Sequence, residues 1–226
     1  MKVTYYGHSC FAAQVANKTL LFDPFITGNE LAKAIDVQTI QADYILISHG
    51  HEDHMGDAAD IAKRTGATIV SNYEIIVWFG KQGLQKSHAL NHGGGWQFDF
   101  GHVKFVNAIH SSSLPDGTYG GNPGGFVVES AEGNFYYSGD TALTLDMKLI
   151  GESTPLTFAA LCIGDNFTMG VDDAIKAAEF VRCREVLGLH YNTFPPIKID
   201  PTAAKEKFKA AQQQLHLLLP GESHNF

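Results

Sequence analysis

The amino-acid sequence predicts an α/β fold: a four-layer αββα sandwich in which two mixed β-sheets pack face to face and helices cover the outer faces. Strands followed by helices occur in both halves of the chain, and two hairpin-like segments lie between these halves. The 226 residues, 44% hydrophobic and 18% charged, are typical of globular proteins. With no linker or low-complexity stretch, residues 1–226 are expected to form a single domain.

In the first half, apolar runs and turn residues predict three early strands, followed by strands that alternate with helices. Lys2–Val15 is interpreted as two strands separated by a break at Gly7–His8–Ser9. A third strand, Thr19–Phe22, ends where Pro24 stops the pairing. Tyr44–Ile47 is apolar without alternation, which is typical of a strand buried on both faces. The next expected elements are a helix over Asp57–Arg64, a strand over Thr68–Ser71 and a helix over Glu74–Phe79.

The second half begins with two predicted hairpins and continues with strands and helices in alternation. The hairpins join apolar runs across glycine-containing turns: Trp96–Phe100 with Val103–Ile109, and Gly125–Ser130 with Asn134–Tyr137. The later elements are a buried strand over Phe158–Ile163, a helix over Val171–Val181, a strand over Val186–Leu189, a helix from Asp200–Pro201 to about Gln214, and a sheet-edge segment over Leu215–Leu219.

Charge and cysteine content disfavour several classes of protein. The formal net charge is −8 and no basic run of five or more residues occurs, so a nucleic-acid partner is not expected. No leader-like segment and no apolar run near the ~20 residues that span a bilayer are present, so we expect no membrane association and a cytoplasmic location. Cys10, Cys162 and Cys183 are odd in number and lack CxxC spacing, which predicts small core residues.

The strongest chemical signal directly follows the buried strand at Tyr44–Ile47. His49, His51, Asp53 and His54 lie within six positions. Because side chains alternate along an extended strand end, the first two histidines are expected to point the same way. Asp53 and His54 are expected to turn back in the following loop and face a neighbouring ion. Imidazole and carboxylate suit divalent ions such as zinc, and the alternative interpretation is a surface loop rich in histidine and aspartate.

Two ions need more ligands than this segment offers, and three further candidates follow predicted strands in the same way. The three are His110, Asp140 and His190. Taken singly, a histidine or aspartate at a strand end is more often a capping or surface residue. Their repeated position, together with the His49–His54 cluster, predicts a shared metal site.

These residues and their flanking stretches resemble the metallo-β-lactamase superfamily, and more closely its small, functionally uncharacterised bacterial and archaeal metal-dependent hydrolases. The HxHxDH spacing at His49–His54 is highly specific for the superfamily. The matching stretches span nearly the whole chain: Tyr6–Phe11, Leu21–Phe25, His49–Gly56, Ala108–Ser112, Tyr137–Thr141, Ile163–Gly170 and His190–Pro195.

The resemblance implies a metallo-β-lactamase fold with a binuclear site whose ligands are assigned position by position. One ion would be held by His49, His51 and His110, the other by Asp53, His54 and His190, with Asp140 bridging both. The catalytic residues implied are Asp53, His54 and Asp140. Zinc is the favoured metal because the ligands are rich in nitrogen, and manganese, iron and nickel are alternatives.

Five further residues are expected near the ligands. By resemblance, Asp23 supports a ligand histidine, although its position before proline also fits a turn. His8 is expected to touch the ligands or to line the pocket, the alternative being a turn histidine. Asn166, Thr168 and Asn192 are expected to line the pocket because their stretches follow strand ends on the same rim. The other histidines are expected at the surface or in packing roles: His88, His92, His102, His216 and His224.

The expected reaction is hydrolysis of a small ester, lactone or phosphodiester substrate by a hydroxide that bridges the two ions. Asp53 is expected to help orient that hydroxide. A nuclease acting on RNA or DNA is an alternative that would favour a basic surface, and a non-catalytic metal-binding protein is another. Redox chemistry is disfavoured because His51 stands where the redox branch of the superfamily carries glutamate. The natural substrate and the oligomeric state are left open.

Overall fold

Two seven-stranded mixed sheets pack against each other in the computed structural model, which describes all 226 residues. The first sheet contains β1 (Lys2–Gly7), β2 (Cys10–Val15), β3 (Lys18–Phe22), β4 (Tyr44–Leu46), β5 (Thr68–Asn72), β6 (Ser87–Leu90) and β14 (Ser223–Asn225). The second contains β7 (Gly95–Phe98), β8 (Gly101–Asn107), β9 (Gly124–Ser130), β10 (Gly133–Tyr137), β11 (Phe158–Cys162), β12 (Glu185–Leu189) and β13 (Gln214–His216). Their spatial orders are β14-β1-β2-β3-β4-β5-β6 and β13-β12-β11-β10-β9-β8-β7.

Helices cover the outer faces of both sheets. They are α1 (Glu52–Met55), α2 (Ala58–Thr65), α3 (Tyr73–Lys81), α4 (Met147–Ser153), α5 (Val171–Phe180) and α6 (Pro201–Ala210), with 3-10 turns at Glu30–Ala32, Val37–Thr39 and Pro195–Ile197. Ile61 and Phe79 of α2 and α3 lie in one apolar cluster with the first sheet. Ile150, Ala177 and Phe208 of α4, α5 and α6 lie in another with the second sheet. A third cluster, rich in aromatic residues, fills the space between the sheets and completes the predicted αββα sandwich.

Each sheet consists of an antiparallel part followed by a parallel part. β1, β2 and β3 are antiparallel and β3 to β6 are parallel. In the second sheet, β7 to β10 are antiparallel and β10 to β13 are parallel. The carboxyl ends of β3 and β4 therefore share one edge of the first sheet, and those of β8, β10 and β12 share one edge of the second. Loops at such carboxyl ends are the usual place for a binding site in sheets with parallel strands.

Predicted element boundaries agree with the structure to within two residues except in a few places. The last helix ends at Ala210 rather than near Gln214, because Gln214–His216 pairs with β12 as the edge strand β13. The sequence does not predict β6 or β14, which have weak apolar patterns and are held by pairing with β5 and β1. It also does not predict α4, a helix of seven residues that contains Gly151.

The expected roles of the cysteines and of the histidines outside the motifs are confirmed. All three cysteines are buried and free. The five histidines pack on rings or pair with glutamates: His88 on Trp96, His92 on Phe105, His102 with Glu129, His216 with Glu185 and His224 on His216. None of the helices combines the length and the apolar character that a transmembrane span requires.

Candidate metal centre

The predicted ligands come from four strand ends where the edges of the two sheets meet. In the first sheet, β4 leads into the His49–His54 motif. In the second sheet, β8, β10 and β12 lead to the other three candidates, His110, Asp140 and His190. Asp53 and His54 lie in the short helix α1, which corrects the expectation of a loop. The backbone N–H of His54 donates to the carbonyl oxygen of His51 at 3.0 Å, and this helical turn reverses the chain.

Three histidines form the first group of candidate ligands. The ligand atoms of His49, His51 and His110 lie within 4.8 Å of one another. His49 Nε2 is 2.9 Å from His51 Nδ1, and the ring centroid of His110 is 5.1 Å and 5.2 Å from those of the other two. His49 is fully buried, whereas His51 and His110 are partly exposed. This side of the cluster is therefore open to solvent.

Asp53, His54 and His190 form the second group, together with His8. One ligand atom from each of the four lies within 4.8 Å of the others. Asp53 Oδ1 is 3.9 Å from His54 Nε2, and the rings of His54 and His190 are nearly parallel with centroids 5.7 Å apart. The structure thus brings together the same two sets of side chains that the resemblance assigns to two ions. That they bind metal stays a prediction.

Asp140 lies between the two groups. Its Oδ2 atom is 2.9 Å from His190 Nε2, 3.2 Å from His54 Nε2 and 3.6 Å from His110 Nε2. Burial alone would raise the pKa of this carboxyl, but His190 and His54 hold that pKa well below its ordinary value. One carboxylate therefore reaches histidines of both groups, as a bridging ligand must.

The buried polar atoms of this cluster fit a divalent cation. Asp140 Oδ1 is buried and has no hydrogen-bond partner, and the buried His54 Nε2, although 3.2 Å from Asp140 Oδ2, makes no well-aligned hydrogen bond. Leaving a buried polar atom unsatisfied costs about 1–3 kcal/mol, so atoms of this kind usually have a partner, which can be an ion. Imidazole nitrogens and carboxylate oxygens without thiolates suit divalent transition metals. The side chains present are therefore an appropriate donor set for a metal centre.

Asp23 is a buried carboxylate that is hydrogen-bonded, directly or through Ser48, to candidate ligands of both groups. It accepts hydrogen bonds from His54 Nδ1 at 2.7 Å, from the backbone N–H of Ser48 at 2.8 Å, and from the hydroxyls of Ser48 and Tyr137. Because the proton of the Ser48 hydroxyl goes to Asp23, its oxygen accepts from His49 Nδ1 at 2.9 Å. Both imidazoles therefore direct Nε2 into the cluster. Asp23 is close enough to His49 and His54 to share a cation with them, but its four donors fit a supporting role better.

Ser48 and Tyr137 contact this network, although the sequence analysis does not single them out. Ser48 immediately precedes His49 in the motif, and this adjacency is the one signal that indicates it. Tyr137 is the last residue of β10 and lies 114 positions from Asp23. Only the packing of one sheet on the other brings these two side chains together.

The two buried histidines of the motif have opposite pKa shifts. Burial favours the neutral imidazole of His49, whose pKa lies well below its ordinary value. Burial also acts to lower the pKa of His54, but the carboxylates of Asp140 and Asp23 outweigh it and raise that pKa well above the ordinary value. A metal ligand must be unprotonated, so a cation bound at His54 Nε2 displaces a proton.

His8 lies inside the cluster, in the tight turn between β1 and β2. Its Nε2 atom is 3.2 Å from Asp53 Oδ2, and its Nδ1 atom is 2.9 Å from Thr193 Oγ1. Burial is the main reason that the pKa of His8 is lowered to about 4. His8, Asp23 and His190 have left-handed backbones, with φ of 56°, 39° and 55°. Non-glycine residues rarely adopt this conformation, and three of the ten that do so in this chain lie in the cluster.

None of the three predicted pocket residues forms a hydrogen bond with a candidate ligand. Asn166 is exposed, and the Thr168 hydroxyl donates to the carbonyl oxygen of the next residue at 3.3 Å. Asn192 Oδ1 accepts a hydrogen bond from the backbone N–H of Ile199 at 2.8 Å. The last two side chains stabilise their own loops in this way. A role of the three in lining the pocket stays a prediction.

The chain is similar to known proteins over most of its length. A family model described as a beta-lactamase superfamily domain matches residues 2–190. A protein from Flavobacterium johnsoniae named UPF0173 metal-dependent hydrolase is 56% identical over 223 residues, covering 99% of each chain. A protein of the same name from Christiangramia forsetii is 54% identical over 224 residues and also covers 99% of each chain.

Solved structures agree with the sequence comparisons. The structure of Igni18, a novel metallo hydrolase from the hyperthermophilic archaeon Ignicoccus hospitalis, matches with a TM-score of 0.89 at 36% identity and covers 100% of this chain and 98% of the other. The superfamily predicted from the HxHxDH motif is thereby confirmed, as is the expected fold. The chain therefore belongs to the metallo-β-lactamase superfamily and is a metal-dependent hydrolase of the UPF0173 family.

Proposed function

We propose that this hydrolase holds two divalent ions, zinc foremost, and cleaves a small ester, lactone or phosphodiester substrate in the cytoplasm. The observation that carries the proposal is the position of Asp140, whose Oδ2 atom lies within 3.6 Å of imidazole nitrogens from both groups of histidines. Seven candidate side chains exceed the usual needs of a single zinc ion, which favours two adjacent ions. Manganese, iron and nickel accept the same ligand types. Three free, buried cysteines are compatible with a reducing compartment.

The residues of the chain hold and orient the reacting groups. When bound, two adjacent divalent ions supply Lewis-acidic charge that lowers the pKa of water and polarises a substrate oxygen. Asp140 fixes the spacing between the two groups of ligands. Asp23 fixes the imidazole of His54 so that Nε2 stays free for coordination. Asp53 is 29% exposed at the mouth of the cluster, where its carboxylate can orient an incoming water.

The surroundings of the cluster favour an uncharged ester or lactone over nucleic acid. No lysine or arginine forms an ion pair with a predicted ligand, whereas proteins that bind a polyanion neutralise phosphates with such side chains. Ile109 and Phe167 are 54% and 55% exposed. Their loops are joined to Thr141, next to Asp140. The backbone N–H of Ile109 donates to the Thr141 hydroxyl and that of Met169 to the Thr141 carbonyl oxygen, each at 2.9 Å. These apolar side chains offer contacts to an apolar part of a small substrate.

The test is a hydrolysis screen of the purified, metal-loaded protein with activated esters, lactones and phosphodiesters. We expect turnover that requires metal, stops on chelation and falls by orders of magnitude in His51→Ala and His54→Ala, because each variant removes one ligand. His102→Ala removes a histidine that pairs with Glu129 outside the cluster and is the matched control, with an unchanged rate. Cleavage of RNA or DNA but of none of the small substrates would contradict the proposal. Consumption of dioxygen without hydrolysis would also contradict it.

A further inference from the structure

The imidazole of His8 is wedged between neighbouring rings beside the second group of ligands. The side chain has no exposed surface. Its ring centroid is 5.7 Å from that of Phe25, 5.5 Å from that of Phe194 and 4.2 Å from that of His190. In such a packed environment the ring cannot turn without displacing its neighbours. The direction of its two nitrogens is therefore fixed by the fold.

The partners of this imidazole determine which nitrogen carries the proton. An ionised carboxylate only accepts hydrogen bonds, so His8 Nε2 donates to Asp53 Oδ2 across 3.2 Å. In a neutral imidazole the other nitrogen then accepts, and the Thr193 hydroxyl, 2.9 Å from Nδ1, donates to it in preference to the more distant carbonyl oxygen of Tyr191 at 3.4 Å. Thr193, His8 and Asp53 thus form a chain of hydrogen bonds that runs in one direction and ends on the carboxylate.

This chain of hydrogen bonds leaves the second carboxylate oxygen of Asp53 free. Oδ2 is the atom held by His8, whereas Oδ1 faces His54 Nε2 at 3.9 Å. We propose that His8, oriented by Thr193, is a positioning residue that fixes Asp53 as a one-oxygen ligand and so sets the affinity of the ion in the second group. The inference rests on the proposed two-ion centre and adds the residue on which one of its two sites depends.

Two substitutions separate the hydrogen bond to Asp53 from the other properties of His8. In His8→Gln the side-chain amide reaches as far as Nε2 and can donate to Asp53. In His8→Asn the shorter amide occupies the position of Nδ1, near Thr193, and loses Asp53. Asparagine is well suited to the φ of 56° at this position. If His8 served only to adopt this backbone conformation, His8→Asn would be tolerated better than His8→Gln. If His8 positions Asp53, His8→Gln should be tolerated better.

The affinities of the two ions can be measured separately on the metal-free, full-length protein. Zinc titration against a competing chelator gives each binding step, and titration with cobalt reports ligand geometry through its visible spectrum. We expect His8→Asn to weaken one step about 10–100-fold, the usual effect of losing a residue that holds a ligand, and to leave the other step unchanged. His8→Gln should bind nearly as tightly as wild type. Thr193→Val should weaken the same step by less, and Thr193→Ser, which keeps the hydroxyl, should not weaken it.

Several results would overturn the inference. His8→Asn binding as tightly as His8→Gln would show that the hydrogen bond to Asp53 does not matter, and equal weakening of both steps would indicate a general structural defect. Loss of one step in both His8 variants, with an altered cobalt spectrum, would make His8 a metal ligand and not a positioning residue. Wild-type protein that binds a single ion would instead overturn the two-ion centre, and this inference with it. Thermal unfolding of the metal-free variants verifies that each is folded.

Discussion

Each buried carboxylate of the centre acts on more than one histidine. Asp23 contacts His54 directly and reaches His49 through the hydroxyl of Ser48. Asp140 lies within 3.2 Å of His54 Nε2 and is also close to histidines that follow β8 and β12. Replacing a carboxylate should therefore affect both ions, whereas replacing a residue that links one carboxylate to one histidine should affect a single ion.

The contrast between Asp23 and Ser48 tests this arrangement. Asp23→Asn keeps the size of the side chain but loses its charge and an acceptor, so we expect both ions to bind about 10–100-fold more weakly. Ser48→Ala should weaken only the ion near His49, because His54 keeps its direct contact with Asp23. Zinc titration against a competing chelator measures both effects, and Asp60→Asn on the exposed face of α2 serves as the control. Equal loss of both ions in Ser48→Ala would contradict this assignment.

Asp140→Ala removes the one side chain that we propose touches both ions. We expect both sites to lose occupancy, because each then lacks a ligand and the two ions lose the negative charge between them. The measurement is metal content per chain after dialysis against a metal buffer. Asp116→Ala, an exposed aspartate in the loop before β9, is a charge-matched control that should keep the metal. An Asp140→Ala protein that still holds a full complement of metal would rule out a bridging role.

At the scale of elements, the loop that carries His190 packs against its neighbours with little space between them. Gly164 follows β11 and lies against the loop after β12, so that a Cβ atom placed on it would be 2.0 Å from the carbonyl oxygen of His190. The backbone N–H of His190 donates to the carbonyl oxygen of His8, which ties this loop to the first sheet. A methyl group at Gly164 therefore has to displace a predicted ligand.

Gly164→Ala should consequently destabilise the fold and weaken the ion in the second group. Overpacking of this kind typically costs about 1–3 kcal/mol. Thermal denaturation gives the stability, and zinc titration gives the affinity. Gly80→Ala in α3 is the matched control, since a Cβ atom there meets nothing within 4 Å, and it should be neutral or stabilising by up to about 1 kcal/mol. Wild-type stability and affinity in Gly164→Ala would show that the loops are more adaptable than the packing indicates.

The strands that lead to the candidate ligands are predicted well from the sequence, whereas the short helix α1 is not. Tyr44–Leu46, which leads into the His49–His54 motif, is an apolar run whose burial on both faces is visible in its composition. β6 is not predictable in this way, because Ser87–Leu90 becomes a strand only through its pairing with β5. Contacts between segments that are distant in sequence cannot be predicted from local pattern either. Tyr137, for example, contacts Asp23 only because the two sheets pack together. Local pattern thus points to the candidate ligands, whereas the residues that hydrogen-bond to them depend on tertiary structure.

At the scale of the whole molecule, the candidate metal centre lies between the two sheets and takes residues from both. The first group of ligands combines His49 and His51, which follow a strand of the first sheet, with His110, which follows a strand of the second. The second group likewise combines residues of α1 with His190. A bound ion would therefore connect the two halves of the sandwich at the edge where their strand ends meet.

Metal removal should accordingly lower the thermal stability of the entire fold. A ligand that binds only the folded state stabilises it by about 2.7 kcal/mol at a free concentration 100 times its Kd. We expect Tm to fall on chelation and to rise again with added zinc in a concentration-dependent manner, measured by calorimetry. The double variant His51→Ala/His54→Ala should show no such dependence. If neither chelator nor added zinc changed the Tm of the wild-type protein, the proposed role of the ions would be contradicted.

Anomalous diffraction from crystals of the zinc-loaded protein, recorded at the zinc absorption edge, tests the two-ion centre most directly. The predicted result is a pair of peaks about 3.5–4 Å apart. One peak should lie next to His49, His51 and His110, the other next to Asp53, His54 and His190, with the carboxylate of Asp140 between them. A single peak, or a peak coordinated by Asp23 with Asp140 left free, would contradict the account.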